Sequence, residues 1–416
     1  MSKIEVEGMH RLCGEVTVQG SKNAILPILS ACVLNEGTTV LHHCPKLKDV
    51  DAMLEALSGA GAKVRWEGHT LSIDTSGVQS VPLIENAGAS RSSIMLLGSF
   101  LARFRKAVIG YPGGCSIGKR PIDLHEETLH AMGAEFCEKP DRLEAEAEAL
   151  EGCDLYLPYP SVGVTENVLL AASGASGMTR IYGAAREPEI VELCRFLTVM
   201  GIRIYGIGTE TLFVMSGEKK KEIEYSICPD RIVAGTYLFA AVSAGGEIIL
   251  KKAPLEQMRS TLRVLDQLGA RFQRKGTDLK IIMNEAPKAI PFLATAPYPG
   301  FPTDLQSPLL AVLCSAAGTS RVKEQIFENR FLVAEELQNM GAKIRVNDQT
   351  AYISTGKKLV GTTVEAKDLR GGAALVVAAL GAEGRSCIEH AEFIFRGYED
   401  LVGDLQQLGA VIRGIE

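Results

Sequence analysis

Gly61-Ala62-Lys63-Val64 marks a point where an amphipathic stretch ends and an extended one begins, and the chain repeats that transition five more times. The other instances are Gly133-Ala134-Glu135-Phe136, Gly201-Ile202-Arg203-Ile204, Gly269-Ala270-Arg271-Phe272, Gly341-Ala342-Lys343-Ile344 and Gly409-Ala410-Val411-Ile412. Successive glycines are 72, 68, 68, 72 and 68 residues apart, so the first three map onto the last three with an offset of 208, half of the 416-residue chain. Such a period is the signature of structural repeats. It predicts two similar domains, each built of three similar subdomains. The glycine sits where a helix such as Val50–Ala60 must stop and the chain turn, a position that requires positive φ. Short strands are predicted to follow, for example Lys63–Trp66 and Thr70–Ile73 about the turn Glu67-Gly68-His69.

A second helix type lies between these units. Asn23–Leu34, Ser92–Phe104, Asn167–Ser173, Arg231–Ala244, Leu309–Ala317 and Gly371–Ala382 are apolar nearly all round and rich in small residues. A helix without a polar face must be buried on every side. Three per half predicts an α/β domain with buried helices inside and sheets outside. Charged or amide residues stand near the expected starts of these helices: Lys22-Asn23, Arg91, Glu166-Asn167, Asp230-Arg231, Asp304 and Arg370. Asp230 and Asp304 suit capping. Arg91 and Arg370 do not, because a cation at a helix N-terminus is unfavourable unless an anion sits there.

The bulk composition narrows the function. A net charge of −6 argues against a general nucleic-acid binder while leaving room for local basic sites, and the longest apolar run, Ile232–Ala244, is too short to span a bilayer. Ten scattered cysteines without a Cys-x-x-Cys pair, and a start without a long apolar segment, fit a reducing, cytoplasmic setting.

The segment richest in chemistry is Tyr111-Pro-Gly-Gly-Cys-Ser-Ile-Gly-Lys-Arg-Pro-Ile-Asp-Leu-His125. Its glycines at 113, 114 and 118 predict an exposed loop, an odd place for a structural cysteine. Lys119 and Arg120 follow Cys115 closely, and nearby cations make a thiol more reactive. A thiol near its reference pKa of about 8.5 remains mostly protonated at neutral pH and can serve as a general acid. An idle surface thiol is the plain alternative. His42-His43-Cys44 lacks the second ligand pair a metal site needs, and Lys219–Lys221 suits a solvated turn. No Walker loop and no Gly-x-Gly-x-x-Gly opening a helix is present.

Taken in order, Gly20-Ser-Lys-Asn-Ala24, the Gly-Gly-Cys loop through His125, Pro160-Ser-Val-Gly-Val-Thr-Glu-Asn167 and Ala185-Arg-Glu-Pro-Glu-Ile190 span the first half. Pro229-Asp-Arg-Ile232, Tyr298-Pro-Gly-Phe-Pro-Thr-Asp304, Phe327-Glu-Asn-Arg-Phe331, Asp368-Leu-Arg370 and Arg396-Gly-Tyr398 span the second. Together they closely resemble the enolpyruvyl transferase family, in the branch that acts on a UDP-amino-sugar. The Gly-Gly-Cys loop and the Arg-Pro-x-Asp-Leu-His segment favour that branch over the shikimate-pathway one. The resemblance implies two inverse α/β barrel domains, residues 22–228 and residues 1–21 with 229–416, and an active site in the cleft between them. It implies transfer of the enolpyruvyl group of phosphoenolpyruvate to the 3′-hydroxyl of UDP-N-acetylglucosamine, an early step of peptidoglycan synthesis, without metal or organic cofactor. Catalytic roles then fall to Cys115, Asp304, Lys22 and Arg396. Phosphoenolpyruvate would be held by Lys22, Asn23, Arg120, Arg330, Arg370 and Arg396. The UDP-sugar would be held by Asn23, Arg91, Arg120, Pro121, Ile122, Asp123, Leu124, Asp304 and Ile326. The resemblance also implies alkylation of Cys115 by fosfomycin. A monomer or weak homo-oligomer with no nucleic-acid or membrane partner is expected. Two positions depart from the family: Phe395 replaces an aspartate and Val333 a histidine.

Overall fold

The computed structural model describes residues 2–79, 91–110, 122–218, 220–356 and 358–416, with the side chains of 91 and 92 outside that description. Among the described residues the chain forms two compact units, one of residues 20–228 and one of residues 2–19 with 229–416. The first contains helices α1 (Lys22–Cys32), α2 (Lys48–Gly59), α3 (Leu96–Phe104), α4 (Asp123–Ala131), α5 (Val162–Ala172) and α6 (Pro188–Met200). The second contains α7 (Arg231–Ala244), α8 (Arg259–Gln267), α9 (Gln306–Leu313), α10 (Val333–Asn339), α11 (Leu369–Gly381) and α12 (Leu401–Gln407).

Odd and even helices differ in kind. The odd ones are buried along nearly their whole length, all eight residues of α9 among them. The even ones bury one face, as α2 does with Val50, Met53, Leu54 and Leu57. Each even helix leads into one of the six repeated glycines, and all six have positive φ, from 83° at Gly409 to 113° at Gly201. The conformation predicted for the repeat is therefore present in every copy.

Sheets form the outside of each unit. In one, Glu222–Ser226 pairs parallel with Thr38–His42, which pairs antiparallel with Thr70–Asp74, and Lys63–Glu67 completes the order. Four further sheets repeat this order of one parallel and two antiparallel pairings. The sixth has three strands among the described residues, Lys106–Gly110, Arg142–Glu146 and Glu135–Glu138. With helices within and sheets without, each unit is an inverse α/β barrel. In the last repeat, Val411–Ile415 pairs with a strand from outside that repeat. That strand is Lys3–Glu7, from the other end of the sequence.

Three helix starts differ from the expected ones by more than two residues. α3 begins at Leu96, not Ser92, because a 3-10 segment, Arg91–Met95, precedes it. α5 begins at Val162, not Asn167, because Ser161 caps it by accepting from the Val164 N–H at 3.4 Å. Glu166 and Asn167 therefore lie in the second turn and are buried. α9 starts at Gln306 and stops at Leu313, before Gly318 with its φ of 120°. Polar ties join the inner helices. Asn167 Oδ1 accepts from the Gly98 N–H at 2.7 Å, and its Nδ2 donates to the Ile94 carbonyl at 3.0 Å. A Cβ at Gly98 would stand 2.3 Å from the Asn167 carbonyl oxygen, so α3 and α5 approach this closely only through glycine.

Candidate active site

In the unit containing residues 229–416, the N-terminal ends of three inner helices gather charge. Arg231 opens α7, Arg370 opens α11, and Asp304 occupies the single 3-10 turn Thr303–Leu305 that leads into α9. Arg330 arrives from the loop ahead of α10. Asp304 Oδ1 accepts from Arg330 Nη2 at 2.6 Å and from Arg370 Nε at 3.1 Å. The two arginine side chains are 4% and 6% exposed, while the aspartate keeps 25% of its surface. Burial alone would push the Asp304 carboxyl up in pKa. Arg370, Arg330 and Arg231 outweigh it and hold the group well below the usual carboxylate range. For Arg370, burial would lower the pKa, yet Asp304, with Tyr398 and Asp230, holds it above the ordinary guanidinium value.

This arrangement corrects the expectation about Arg370. Its helix is capped by Asp368, whose Oδ1 accepts from the Arg370 and Gly371 N–H groups at 2.8 and 3.0 Å. The guanidinium finds its anion in Asp304, so a ligand is not required to explain a cation there. Asp230 caps α7 in the same way, accepting from Ile232 and Val233 at 2.8 and 3.1 Å. Asp304 does not cap. Both guanidiniums meet it through Oδ1, and Oδ2 has no protein donor among the described residues. Arg370 reaches it through Nε, and its side chain also hydrogen-bonds Tyr398.

Supporting residues fix this geometry. Glu324 is fully buried; its Oε2 accepts from Thr303 Oγ1 at 3.0 Å and its Oε1 from the Ile326 N–H at 2.8 Å. One carboxylate thus ties the segment next to Asp304 to Ile326, whose side chain is exposed. Arg396 ends the 3-10 segment Ala391–Arg396 and is half-buried. The turn after it is anchored by Tyr398, completely buried, with its hydroxyl 2.7 Å from that of Thr236 on α7. Gln19 grips the same turn by donating to the Gly397 carbonyl at 3.3 Å and accepting from the Glu399 N–H at 2.9 Å. Val333 is buried at the start of α10 and lies against the position of Gly371, while Phe395 packs on the core of the unit.

In the other unit, Ser21 caps α1 and Lys22 and Asn23 form its first turn. Lys22 Nζ lies 2.7 Å from Asp49 Oδ2, both side chains being largely buried, and Asn23 Nδ2 donates to Glu189 Oε1 at 3.5 Å. Asp49 and Glu189 stand in the first turns of α2 and α6. Gly20 allows the approach, since a Cβ there would come within 1.9 Å of the His43 carbonyl oxygen. Ile122 is the residue before α4; Asp123 is exposed, with Oδ1 accepting from the Leu124 N–H at 2.9 Å, and Leu124 is buried. Cys115, Arg120 and Pro121 lie outside the described residues, as does the side chain of Arg91.

The described geometry thus brings together Asp304, Arg330 and Arg370 in one unit, and Lys22 and Asn23 in the other. Sequence reasoning missed Arg231, Glu324, Asp49 and Glu189. Arg231 could have been found, because it opens a buried helix just as Arg370 does. Glu189 lies inside the quoted stretch Ala185–Ile190, whereas Asp49 and Glu324 carried no local signal. Among the described residues no group of three or more His, Cys, Asp or Glu side chains is arranged to hold a metal ion. His42 is engaged by Thr70 and Glu224, and His43 by the Ile227 carbonyl.

The chain matches the EPSP synthase (3-phosphoshikimate 1-carboxyvinyltransferase) family over residues 6–405. It is 48% identical over 413 residues to UDP-N-acetylglucosamine 1-carboxyvinyltransferase 2 of Caldanaerobacter subterraneus subsp. tengcongensis, covering 99% of each chain. Identity to UDP-N-acetylglucosamine 1-carboxyvinyltransferase 1 of Carboxydothermus hydrogenoformans is 41% over 416 residues, covering 100% of this chain and 99% of that one. Among solved structures, the enolpyruvyl transferase NikO from Streptomyces tendae shares the fold with a TM-score of 0.89 at 24% identity, covering 99% of this chain and 98% of that one. EPSP synthase from Acinetobacter baumannii does so with a TM-score of 0.77 at 19% identity, covering 99% of each. On these full-length matches, the chain belongs to the enolpyruvyl transferase family.

Proposed function

We propose that this chain transfers the enolpyruvyl group of phosphoenolpyruvate to the 3′-hydroxyl of UDP-N-acetylglucosamine, releasing phosphate, as the first committed step of peptidoglycan precursor synthesis. The observation that carries this is the Asp304 carboxylate, ionised and held through one oxygen by Arg330 and Arg370, with no donor to the other oxygen among the described residues. A proton acceptor is thereby set among groups that bind oxyanions. The two relatives that cover the whole chain at 48% and 41% identity carry the matching name.

The chemistry has two halves. In addition, the methylene carbon of phosphoenolpyruvate gains a proton and the sugar oxygen, losing its own, bonds to the neighbouring carbon. In elimination, that carbon loses phosphate and the new methyl group returns a proton, which restores the double bond in the product. We assign delivery of the carbon proton to Cys115 and acceptance of the hydroxyl proton to Asp304. Lys22, Asn23, Arg120, Arg330, Arg370 and Arg396 are assigned to phosphoenolpyruvate, a compact anion suited to guanidinium forks. Asn23, Arg91, residues 120–124, Asp304 and Ile326 are assigned to the UDP-sugar. Residues 22–228 and 1–21 with 229–416 are the proposed catalytic domains, and both sets must act on one pair of substrates.

No described helix is long and apolar enough to cross a membrane. We place the reaction in the cytoplasm, in a monomer or weak homo-oligomer; the nine described cysteines, all free thiols, agree with a reducing compartment. Phosphate release from phosphoenolpyruvate, measured with each acceptor in turn, tests the function. Release is expected with UDP-N-acetylglucosamine, and not with Cys115→Ser under the same conditions. Release only with shikimate 3-phosphate would overturn the acceptor, and full activity of the serine variant would overturn the role of Cys115.

A further inference from the structure

On the outer faces of the sheets, many cations are paired with carboxylates. Lys106 pairs with Glu146, Arg180 with Asp154, His42 with Glu224, Lys251 with Glu15, Lys280 with Glu247, and Arg413 with Glu5. The sheet of Leu293–Ala294, Thr319–Lys323, Thr350–Ser354 and Lys343–Asn347 differs in that its strands contain no acidic residue. Arg321, Lys323, Lys343 and Arg345 are exposed there and form no ion pair among the described residues. In a chain of net charge −6, four uncompensated cations on one small face are not a by-product of composition.

Strand register gives the face an order. Tyr352, 46% exposed, stands directly opposite Arg321 on one neighbouring strand and Arg345 on the other. Thr319 and Lys343 flank Ser354 in the same manner one step along. Phe292, 50% exposed, lies beneath the Arg321 guanidinium, 4.6 Å from ring centroid to Cζ. Thr319, Arg321, Lys343, Arg345, Tyr352 and Ser354 line a groove of about 570 Å³.

We propose that this groove binds a nucleoside polyphosphate, with the base stacked on Tyr352 and the phosphates gripped by Arg321, Arg345 and Lys343. An exposed aromatic ring accepts a base face, and guanidinium groups grip phosphate bidentately. Size selects this ligand class. Five residues along the strands and four strands across span roughly 17 by 14 Å, about 240 Å². A stable protein partner needs about 800 Å² from each side, whereas small-ligand sites have volumes of about 300–1,000 Å³. The negative charge of the whole chain also opposes a long polyanion and tolerates a short one.

The test uses the intact chain and the fluorescent probe methylanthraniloyl-GDP, read by anisotropy, with UDP-N-acetylglucosamine present to occupy the proposed catalytic site. One saturable site is expected at up to roughly millimolar probe. Tyr352→Ala should weaken it about 5- to 100-fold, and Arg321→Ala with Arg345→Ala should abolish it. A control, Lys63→Ala with Arg65→Ala on another sheet, should leave binding unchanged, and thermal melts should show all variants folded. No saturable binding, or equal affinity in the Tyr352 and arginine variants, would overturn the proposal. So would a ten-nucleotide RNA that binds at this face and is not displaced by GDP, since that would make the groove an RNA surface.

Discussion

Asp304 concentrates what a single residue contributes to this protein. Its carboxyl is held below the usual range by three arginines against the opposing effect of burial, so it is ionised whenever the protein is folded near neutrality. The stability it contributes is present above the ordinary carboxylate value and is lost as pH falls below that value toward the depressed folded one. Asp304→Asn should therefore cost about 1–3 kcal/mol at pH 7, because two buried guanidiniums lose their counter-charge. The gap should shrink in denaturant melts at pH 3. The same variant should lower kcat about 10²–10⁴-fold, the range expected for loss of an acid–base group, and should also weaken binding of the UDP-sugar to which Asp304 is assigned. A kcat within a few-fold of the wild type would reduce Asp304 to an anchor for Arg330 and Arg370. At this scale the sequence flagged Arg370 correctly as an oddity. It could not show that the compensating anion stands 66 positions away in the chain.

Between elements, the α7–α12 contact carries a second titrating group. The Tyr237 hydroxyl donates to Asp404 on α12. Burial, with Asp400 and Glu399 nearby, pushes the Asp404 carboxyl up to about 6, although the Tyr237 bond opposes it. The sign here is the reverse of that at Asp304. The folded state binds the proton more tightly than the unfolded chain, so stability falls as pH rises from about 4 through the folded value of about 6. Asp404→Asn keeps an acceptor for Tyr237 and removes the charge. Its melting temperature should exceed the wild type at pH 8 and match it near pH 4. Equal differences at both pH values would sink this account. The element boundaries were mostly legible, because apolar periodicity and the repeated glycine report local demands. They slipped at α3, α5 and α9, where 3-10 segments and a serine cap decided the start.

Over the whole molecule, the repeat count gave six subdomains, yet the sixth is completed by the first strand of the chain. Ile4 and Val6 on Lys3–Glu7 are fully buried between Arg385–Glu389 and Val411–Ile415. This strand joins the two ends of the sequence into one sheet, at the largest loop-closure cost the chain offers. Ile4→Ala should destabilise by about 2–5 kcal/mol, as much as a substitution in the middle of a core helix despite its place near the terminus. A loss under half a kilocalorie in urea melts would show that this strand is dispensable.

The sequence by itself determined the sixfold repeat, the buried and amphipathic helix classes, and the motifs that mark the family. All three are local or periodic properties, written in neighbouring residues and in their spacing. Only the tertiary structure decided which carboxylate neutralises which cation, through Asp304 with Arg330 and Arg370, Asp49 with Lys22, and Glu324 between Thr303 and Ile326. It also decided that one sheet face keeps four cations without ion-pair partners among the described residues. Charge pairing depends on distances between residues far apart in sequence, and no periodicity records those distances.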